Sequence, residues 1–338
     1  MKLFTIILLY FIRLTLQYSS FFNSWHCIGI KDKIDTSKPY KINVGDLPLV
    51  TWYDINSSKF LTTINICKHM GSALDNGKIT ESGCLQCQYH GLEMSHKDKF
   101  GETIEHEGKI FWSYKPNLEK PYSVPFYRNN NYETSFLEID MDCSLTDSAY
   151  NTMDLKHPEF VHNKLVGFGN TIPPTNIKHY NFNLNNVSRI GLSFDYFSNE
   201  IMKKINGGIQ KTSNFHMYMY PTFSWSKVSF LENNLIIGVN LLPIDKKKTR
   251  WYITICHNYY RSEFGKKFMK MLAHAILKQD YVQMKNQYNE NKLKNLILFN
   301  HMFSDENPIM ELNRLFKDYK YPDIDECVEL YNDYNSRL

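Results

Sequence analysis

Four metal-binding residue types stand in two short pairs. Cys67 and His69 form a C-x-H pair, Cys87 and His90 form a C-x-x-H pair, and seventeen residues lie between the pairs. Each pair offers one thiolate and one imidazole from a single loop. Two such loops can clamp a two-iron, two-sulfur cluster, with both cysteines on one iron and both histidines on the other. Neutral imidazoles leave that cluster less negative than four thiolates would, and therefore easier to reduce. Zinc accepts the same ligand types, but Cys2His2 fingers place both cysteines before both histidines, and the order here alternates. The chemistry expected is single-electron transfer. Gly71 and Gly91 let backbone N–H groups approach the sulfurs, and Asn76-Gly77 is a hairpin signal between the loops.

A second constellation lies in DSAYNTMDLKHPEFVH, residues 147 to 162. Asn151, Asp154 and His157 are spaced i, i+3, i+6, which puts them on roughly one side of a helix. His162 follows His157 by five residues, and an unbroken helix would turn it away by about 140°. Pro158 can break the helix or start a new turn and bring His162 round to the same metal. Two histidines and one carboxylate on one face of an iron make the facial triad of non-heme Fe(II) oxygenases, with open positions left for dioxygen. An isolated aspartate at the position of Asp154 would ordinarily cap the helix or pair with a neighbour, and Asn151 could serve helix packing. Behind a ligand histidine, Asp154 could instead fix the imidazole's tautomer.

The two cluster loops resemble the Rieske motif. Respiratory-chain Rieske proteins add a disulfide between the loops. Here Ser72 stands at the first of those positions, Gln88 and Tyr89 fill the gap before His90, and Cys84 has no evident partner. The loops look like those of Rieske oxygenases, with Gln88 where that family usually has proline. Residues 151 to 162, NTMDLKHPEFVH, resemble the N-x-M-D-L-x-H-x-x-[FY]-V-H segment of vanillate O-demethylase and of related, pheophorbide a oxygenase-like Rieske oxygenases. The resemblance runs from about Phe21 to Gln287. It implies that Lys278-Gln279-Asp280-Tyr281-Val282 supplies the third iron ligand as Asp280, with Glu290 as the fallback. It also implies that Asp154 bridges His157 to a cluster histidine of the next subunit, in a head-to-tail homotrimer. The cofactors implied are a [2Fe-2S] cluster and a mononuclear Fe(II), with O2 as co-substrate. Electrons would come from NAD(P)H through a flavin reductase or a ferredoxin, and the reaction would hydroxylate or demethylate an apolar, ring-containing small molecule. The alternative reading is a Rieske electron carrier whose C-terminal part is a non-catalytic docking domain; a zinc-binding structural protein is a third.

The elements that must position these residues follow from the hydrophobic pattern. SWHCIGI, PLVTWYD, KFLTTINIC and KIFWSYKP are short β-branched and aromatic runs separated by turn residues, which predicts a small antiparallel β domain over 21–125 with the cluster loops at its tips. FLEIDMDC, HMYMYPTFSWSKVSF, NLIIGVNLLPID and RWYITICHNYY predict further strands, with turns at Asn233-Asn234 and at Asp245 to Lys248. From Glu263 the pattern becomes helical, with Phe268, Met271, Leu272, Ala275, Ile276 and Val282 at 3.6-like spacing. The fold class is α+β: an all-β Rieske domain, then a catalytic domain over 126–338. The resemblance implies that this second domain is a large antiparallel sheet wrapped around helices in a helix-grip-like manner.

Composition narrows the function classes. The 338 residues suggest about two domains, and 43% apolar content can bury substantial cores. A net charge of +4 without a dense basic run, Lys246-Lys247-Lys248 apart, gives no support to nucleic-acid binding. The seven cysteines form no disulfide framework, which points to a reducing compartment, the cytoplasm or an organelle stroma. Residues 1–20 form a hydrophobic extension whose apolar run, Leu3 to Ile12, is too short to span a bilayer. It is expected to be an interfacial membrane anchor or a helix packed on the body. The other histidines, His26, His96, His106, His179, His216, His257, His274 and His301, have no partners at ligand spacing and are expected to be structural.

Overall fold

A computed structural model describes residues 21–162, 165, 174–184, 187–197, 203–204, 208, 211–287, 307–317 and 319–336. The expected N-terminal extension and Glu290 lie outside the described residues. The chain forms two compact units, one of Met1–Pro121 with Tyr321–Leu338, the other of Tyr122–Lys320.

In the first unit the aromatic and β-branched runs become β1 (His26–Ile30), β2 (Tyr40–Val44), β3 (Leu47–Asp54), β4 (Lys59–Ile64), β5 (Lys78–Ile79), β6 (Leu85–Gln86), β7 (Glu93–Met94), β8 (Glu102–His106) and β9 (Lys109–Ser113). They pair antiparallel in three three-stranded sheets, ordered β1-β9-β8, β2-β3-β4 and β5-β6-β7. Trp52, Trp112, Phe111 and Leu49 are fully buried and anchor the sheets. Val50, Trp52, Leu74, Leu85 and Met94 pack against Cys67 and Cys87, so an apolar wall backs both thiols. Asn76-Gly77 does not make the expected hairpin turn. It closes a 3-10 turn over Leu74–Asn76, and the turn between β5 and β6 sits at Gly83, where φ is +74°. Gly77 is required for another reason: a Cβ there would lie 2.2 Å from the Gln86 carbonyl oxygen.

The second unit is built on one seven-stranded antiparallel sheet. Its members in chain order are β10 (Glu133–Met141), β11 (Thr175–Leu184), β12 (Val187–Phe197), β13 (Lys211–Met219), β14 (Phe223–Phe230), β15 (Asn233–Asp245) and β16 (Lys248–His257). The spatial order is β10-β16-β15-β14-β13-β12-β11. The expected turn at Asn233-Asn234 falls two residues earlier, at Leu231-Glu232, because Phe230 already pairs with Asn233. Helices α1 (Leu145–Met153) and α2 (His157–Phe160) separate β10 from β11, and α3 (Glu263–Lys285) and α4 (Asn307–Phe316) follow β16. Helix α1 packs on β13, β15 and β16. The Trp251 indole on β16 donates to Ser148 Oγ on α1 at 2.9 Å, which identifies the face of the sheet that the helix covers. Helix α3 packs on β10. Its buried residues are Gly265, Met269, Leu277, Asp280 and Met284, a different face from the apolar series read in the sequence, and Met271 and Val282 are exposed.

The last helix, α5 (Ile324–Asn335), does not continue the second unit. Its Tyr334 hydroxyl donates to the Lys99 carbonyl at 3.2 Å and the ring packs on Phe100. Asp333 accepts from Lys115 and from the Tyr114 hydroxyl. The C-terminal segment therefore belongs with the first unit, and the span 126–338 is not one contiguous body.

Candidate metal centres

The two cysteine-histidine loops are copies of one turn. In the first, Cys67 N–H donates to the Ser72 carbonyl at 2.8 Å and Gly71 N–H to the Cys67 carbonyl at 2.8 Å. In the second, Cys87 N–H donates to the Leu92 carbonyl at 2.9 Å and Gly91 N–H to the Cys87 carbonyl at 3.0 Å. Gly71 and Gly91 have φ of +74° and +75°, the left-handed conformation that lets each loop fold back on its cysteine. Both cysteines are buried, both histidines are exposed, and the rings of His69 and His90 stand 4.7 Å apart.

The donor set fits a cluster. The backbone N–H of Tyr89 holds the Cys87 thiol below its ordinary pKa against the opposing effect of burial, with help from Cys67, the N–H of His90 and the Ser72 hydroxyl. Hydrogen bonds aimed at a thiolate are what a cysteine on an electron-transfer cluster needs. Among the described residues, the group with three or more potential ligand atoms within 4.8 Å of one another is His157, His162 and Asp280. Cys84 is a free thiol, half-buried beside Ser82.

The second centre gathers residues from α1, α2 and α3. Helix α1 stops at Met153, before the histidines, so Asn151, Asp154 and His157 do not share one helix as the spacing predicts. The reason is Asp154, the C-cap of α1, whose Oδ1 accepts from the N–H of Lys156 at 2.8 Å and of His157 at 3.3 Å and so takes donors that would otherwise continue the helix. Pro158 falls in the first turn of that new helix, where its missing donor is harmless. The break swings His162 alongside His157, with ring centroids 5.2 Å apart.

Each imidazole is fixed through Nδ1. His157 Nδ1–H donates to the Asp154 carbonyl at 2.9 Å, and His162 Nδ1–H donates to Gln279 Oε1 at 2.9 Å. That leaves Nε2 of both rings turned toward Asp280 Oδ1, at 3.6 Å from His157 and 3.2 Å from His162. Asn151 Nδ2 donates to the same oxygen at 3.3 Å. Asp280 is only 5% exposed, and its ion-pair partners among the described residues are these two histidines. A buried carboxylate without a formal cation beside it is costly unless it is paired or coordinates a metal. Burial holds His157 below its ordinary pKa. In His162, burial is outweighed by the hydrogen bond and charge of Asp280, with Gln279, and the ring is raised. The set fits a divalent cation bound by two Nε2 atoms and one carboxylate oxygen.

Sequence reasoning missed Gln279 and Ser72. Gln279 precedes Asp280 directly, and a side chain able to hold a ligand imidazole beside a candidate ligand was a usable signal. Ser72 stands where respiratory-chain Rieske proteins have a cysteine, and its hydroxyl reaches the Cys87 thiol. His216, expected to be structural, lies on β13 with its ring against Phe194 at a centroid distance of 5.2 Å.

Residues 24–110 match the Rieske [2Fe-2S] domain. The chain is 24% identical over 177 residues to chloroplastic pheophorbide a oxygenase of Oryza sativa subsp. japonica, a match that covers 42% of this chain and 33% of that one. It is 26% identical over 162 residues to the oxygenase component of dicamba O-demethylase from Stenotrophomonas maltophilia, covering 41% and 47%. The chain thus spans a third to a half of the length of these curated relatives. Among solved structures, dicamba monooxygenase bound to 3,6-dichlorosalicylic acid matches with a TM-score of 0.70 at 17% identity, over 87% of this chain and 96% of that one. NdmA of Pseudomonas putida CBB5 with caffeine matches with a TM-score of 0.72 at 15% identity, over 89% and 91%. No helix among the described residues is long and apolar enough to cross a membrane.

Proposed function

We propose that this chain, which carries a Rieske [2Fe-2S] domain in a fold shared with Rieske oxygenases, is the oxygenase component that hydroxylates or demethylates an apolar, ring-containing small molecule. The observation that carries the reading is the convergence of His157, His162 and Asp280 in a chain that also has the cysteine-histidine loops. When bound, a [2Fe-2S] cluster on Cys67, His69, Cys87 and His90 and an Fe(II) on the triad supply single electrons and the activation of dioxygen. The protein's own contribution is geometric. The Asp154 carbonyl and Gln279 fix both tautomers so that Nε2 faces the metal position, and Asn151 holds the Asp280 carboxylate in place.

Electrons are proposed to come from a ferredoxin or a flavin reductase, and originally from NAD(P)H. The working assembly is proposed to be a head-to-tail ring of three copies in which Asp154 meets a cluster histidine of a neighbour. Two observations support that arrangement. His69 and His90 are exposed at a tip flanked by Ile66, Met70 and Tyr89, which are 53%, 64% and 61% exposed, an apolar rim suited to burial against another copy. The Asp154 side chain is itself one-third exposed beside His157. The site is proposed to work in the cytoplasm or an organelle stroma, with residues 1–20 as a membrane-associating extension.

Iron counting tests the reading. Reconstituted protein is expected to hold about three irons per chain and to show a Rieske electron paramagnetic resonance signal on reduction. His157→Ala is expected to lose one iron and keep the signal. About two irons, unchanged by that substitution, would instead mark an electron carrier.

A further inference from the structure

The two cysteine-histidine loops are almost free of charge. Leaving the four candidate ligands aside, the one charged side chain between Ile66 and Leu74 and between Cys84 and Leu92 is Lys68. It stands between Cys67 and His69, so its Cα is about 3.8 Å from theirs and its ammonium no more than about 10 Å from either, whichever way the side chain turns. A full charge at that range changes the energy of adding an electron to whatever the two residues hold.

That ammonium is held. Lys68 Nζ donates to Asp98 Oδ1 in an ion pair whose side chains are 57% and 21% exposed. Asp98 is fixed before the lysine reaches it. It closes the 3-10 turn His96–Asp98, and its Oδ2 accepts from the Ser95 N–H at 2.8 Å and from the Ser95 hydroxyl at 3.2 Å. Its carbonyl accepts from the Thr63 hydroxyl on β4 at 2.8 Å. The next two residues are anchored as well, Phe100 N–H to the Thr62 carbonyl at 2.7 Å and the Lys99 carbonyl to Tyr334 on α5. A lysine ammonium swings on a flexible four-carbon stem, so the pinned carboxylate decides where the charge of this pair sits. A pair this exposed contributes little to folding stability, which leaves its effect on the neighbouring loop as its main consequence.

We infer that Asp98 is a positioning residue for electron transfer, which lowers the reduction potential of the cluster by neutralising Lys68 and holding its ammonium to the turn. The inference rests on the reading of Cys67, His69, Cys87 and His90 as ligands of a [2Fe-2S] cluster. Reduction adds one negative charge, which an unpaired Lys68 would stabilise, making the cluster easier to fill and slower to empty. Asp98 offsets that charge, so the electron leaves more readily for its acceptor.

Redox titration of the reconstituted holoprotein, followed by its Rieske electron paramagnetic resonance signal, tests this. Asp98→Asn should raise the equilibrium constant for one-electron reduction by about three- to tenfold, a shift of about 30–60 mV. Lys68→Gln, which leaves the carboxylate unpaired, should lower it by a similar factor. The double variant should return to within about twofold of wild type. Asp98→Glu, which keeps the charge, should stay close to wild type. Opposite signs in the two single variants are what a charge effect requires, whereas loss of a brace alone gives both the same sign. An unmoved potential in Asp98→Asn, or a shift in one direction for both single variants, overturns the inference. Should Asp98→Asn fail to fold, Lys68→Gln decides from its exposed position: a lowered potential supports the inference and an unmoved or raised one overturns it. A wild-type protein without the Rieske signal refutes the cluster reading and the inference with it, while a normal signal with an unmoved potential refutes the inference alone.

Discussion

Replacing Gln279 with leucine isolates what holds the buried imidazole of His162. The ring is 3% exposed, and its Nδ1–H has one acceptor, Gln279 Oε1, at 2.9 Å. Leucine is of similar size and cannot accept, so the N–H is left buried without a partner, at a cost of about 1–3 kcal/mol. The freed ring can also rotate or take the other tautomer, which turns the Nε2 lone pair away from the metal position. Loss of such an orienting partner lowers metal affinity by about 10–100-fold. With each tenfold worth about 1.4 kcal/mol, the two routes give the same range. The assay is anaerobic Fe(II) titration of protein whose cluster is intact but whose mononuclear site has been emptied by chelation. Gln279→Leu should bind Fe(II) about 10–100-fold more weakly, while Gln279→Glu, which keeps an acceptor oxygen, should stay within about tenfold of wild type. The cluster's resonance signal should be the same in all three. Wild-type affinity in the leucine variant would refute the argument that the His162 tautomer is set from α3.

Gly77→Ala should be more damaging than Gly71→Ala or Gly91→Ala, although only the latter two have positive φ. Nothing lies within 4 Å of a Cβ at Gly71 and only Gln86 Nε2, at 3.9 Å, near one at Gly91, so their cost is the left-handed backbone, about 1–2 kcal/mol, whereas at Gly77 the Gln86 carbonyl blocks the methyl outright; thermal melts of the three variants check the order. Asp154→Asn should leave a cluster that reduces normally and a turnover that collapses, and near-wild-type turnover would reject a bridging role for that carboxylate. Acid should weaken the first unit through His26, which burial pushes down to about 4. Between pH of about 6.5 and 4 the unfolded chain takes up a proton that the folded chain refuses, so stability falls by about 3 kcal/mol as the pH drops through that window. Denaturant titrations should show His26→Phe flattening the fall.

Much of the first unit was legible because its signals are local. Aromatic and β-branched runs between turn residues gave β1, β3, β4 and β9, and the spacing of the two cysteine-histidine pairs marks them as candidate ligands. What failed were inferences from one feature to one structure. Asn76-Gly77 carries a hairpin signal, but its glycine is needed for close passage by Gln86. Asn151, Asp154 and His157 have helical spacing, but the Asp154 side chain captures two backbone donors and ends the helix. The apolar series on α3 predicted a buried face that the helix leaves half-buried, with Met271 and Val282 exposed, because Met269, Leu277 and Met284 share the inward side with Asp280. The return of α5 to the first unit had no sequence signal, since its contacts, Tyr334 on Phe100 and Asp333 with Lys115, join residues far apart in the chain.

The two centres differ in how much of the fold each needs, and that difference explains which ligands could be read. Each cluster loop closes on itself through hydrogen bonds spanning at most five residues, and its glycine supplies the one conformation other residues resist. Six residues of sequence therefore specify each half of that site, and the hydrophobic wall behind Cys67 and Cys87 only has to bring the halves together. The second centre has two candidate ligands five residues apart and a third, Asp280, that reaches them only after the chain has traversed the remaining strands of the sheet and most of α3. No spacing rule can encode such a ligand. What encodes it is the inward face of α3, where a carboxylate among Met269, Leu277 and Met284 is tolerable only because two imidazoles meet it there. A buried acid on a helix whose other inward side chains are apolar is thus the physical counterpart of the motif, and it becomes visible only once the helix has been placed.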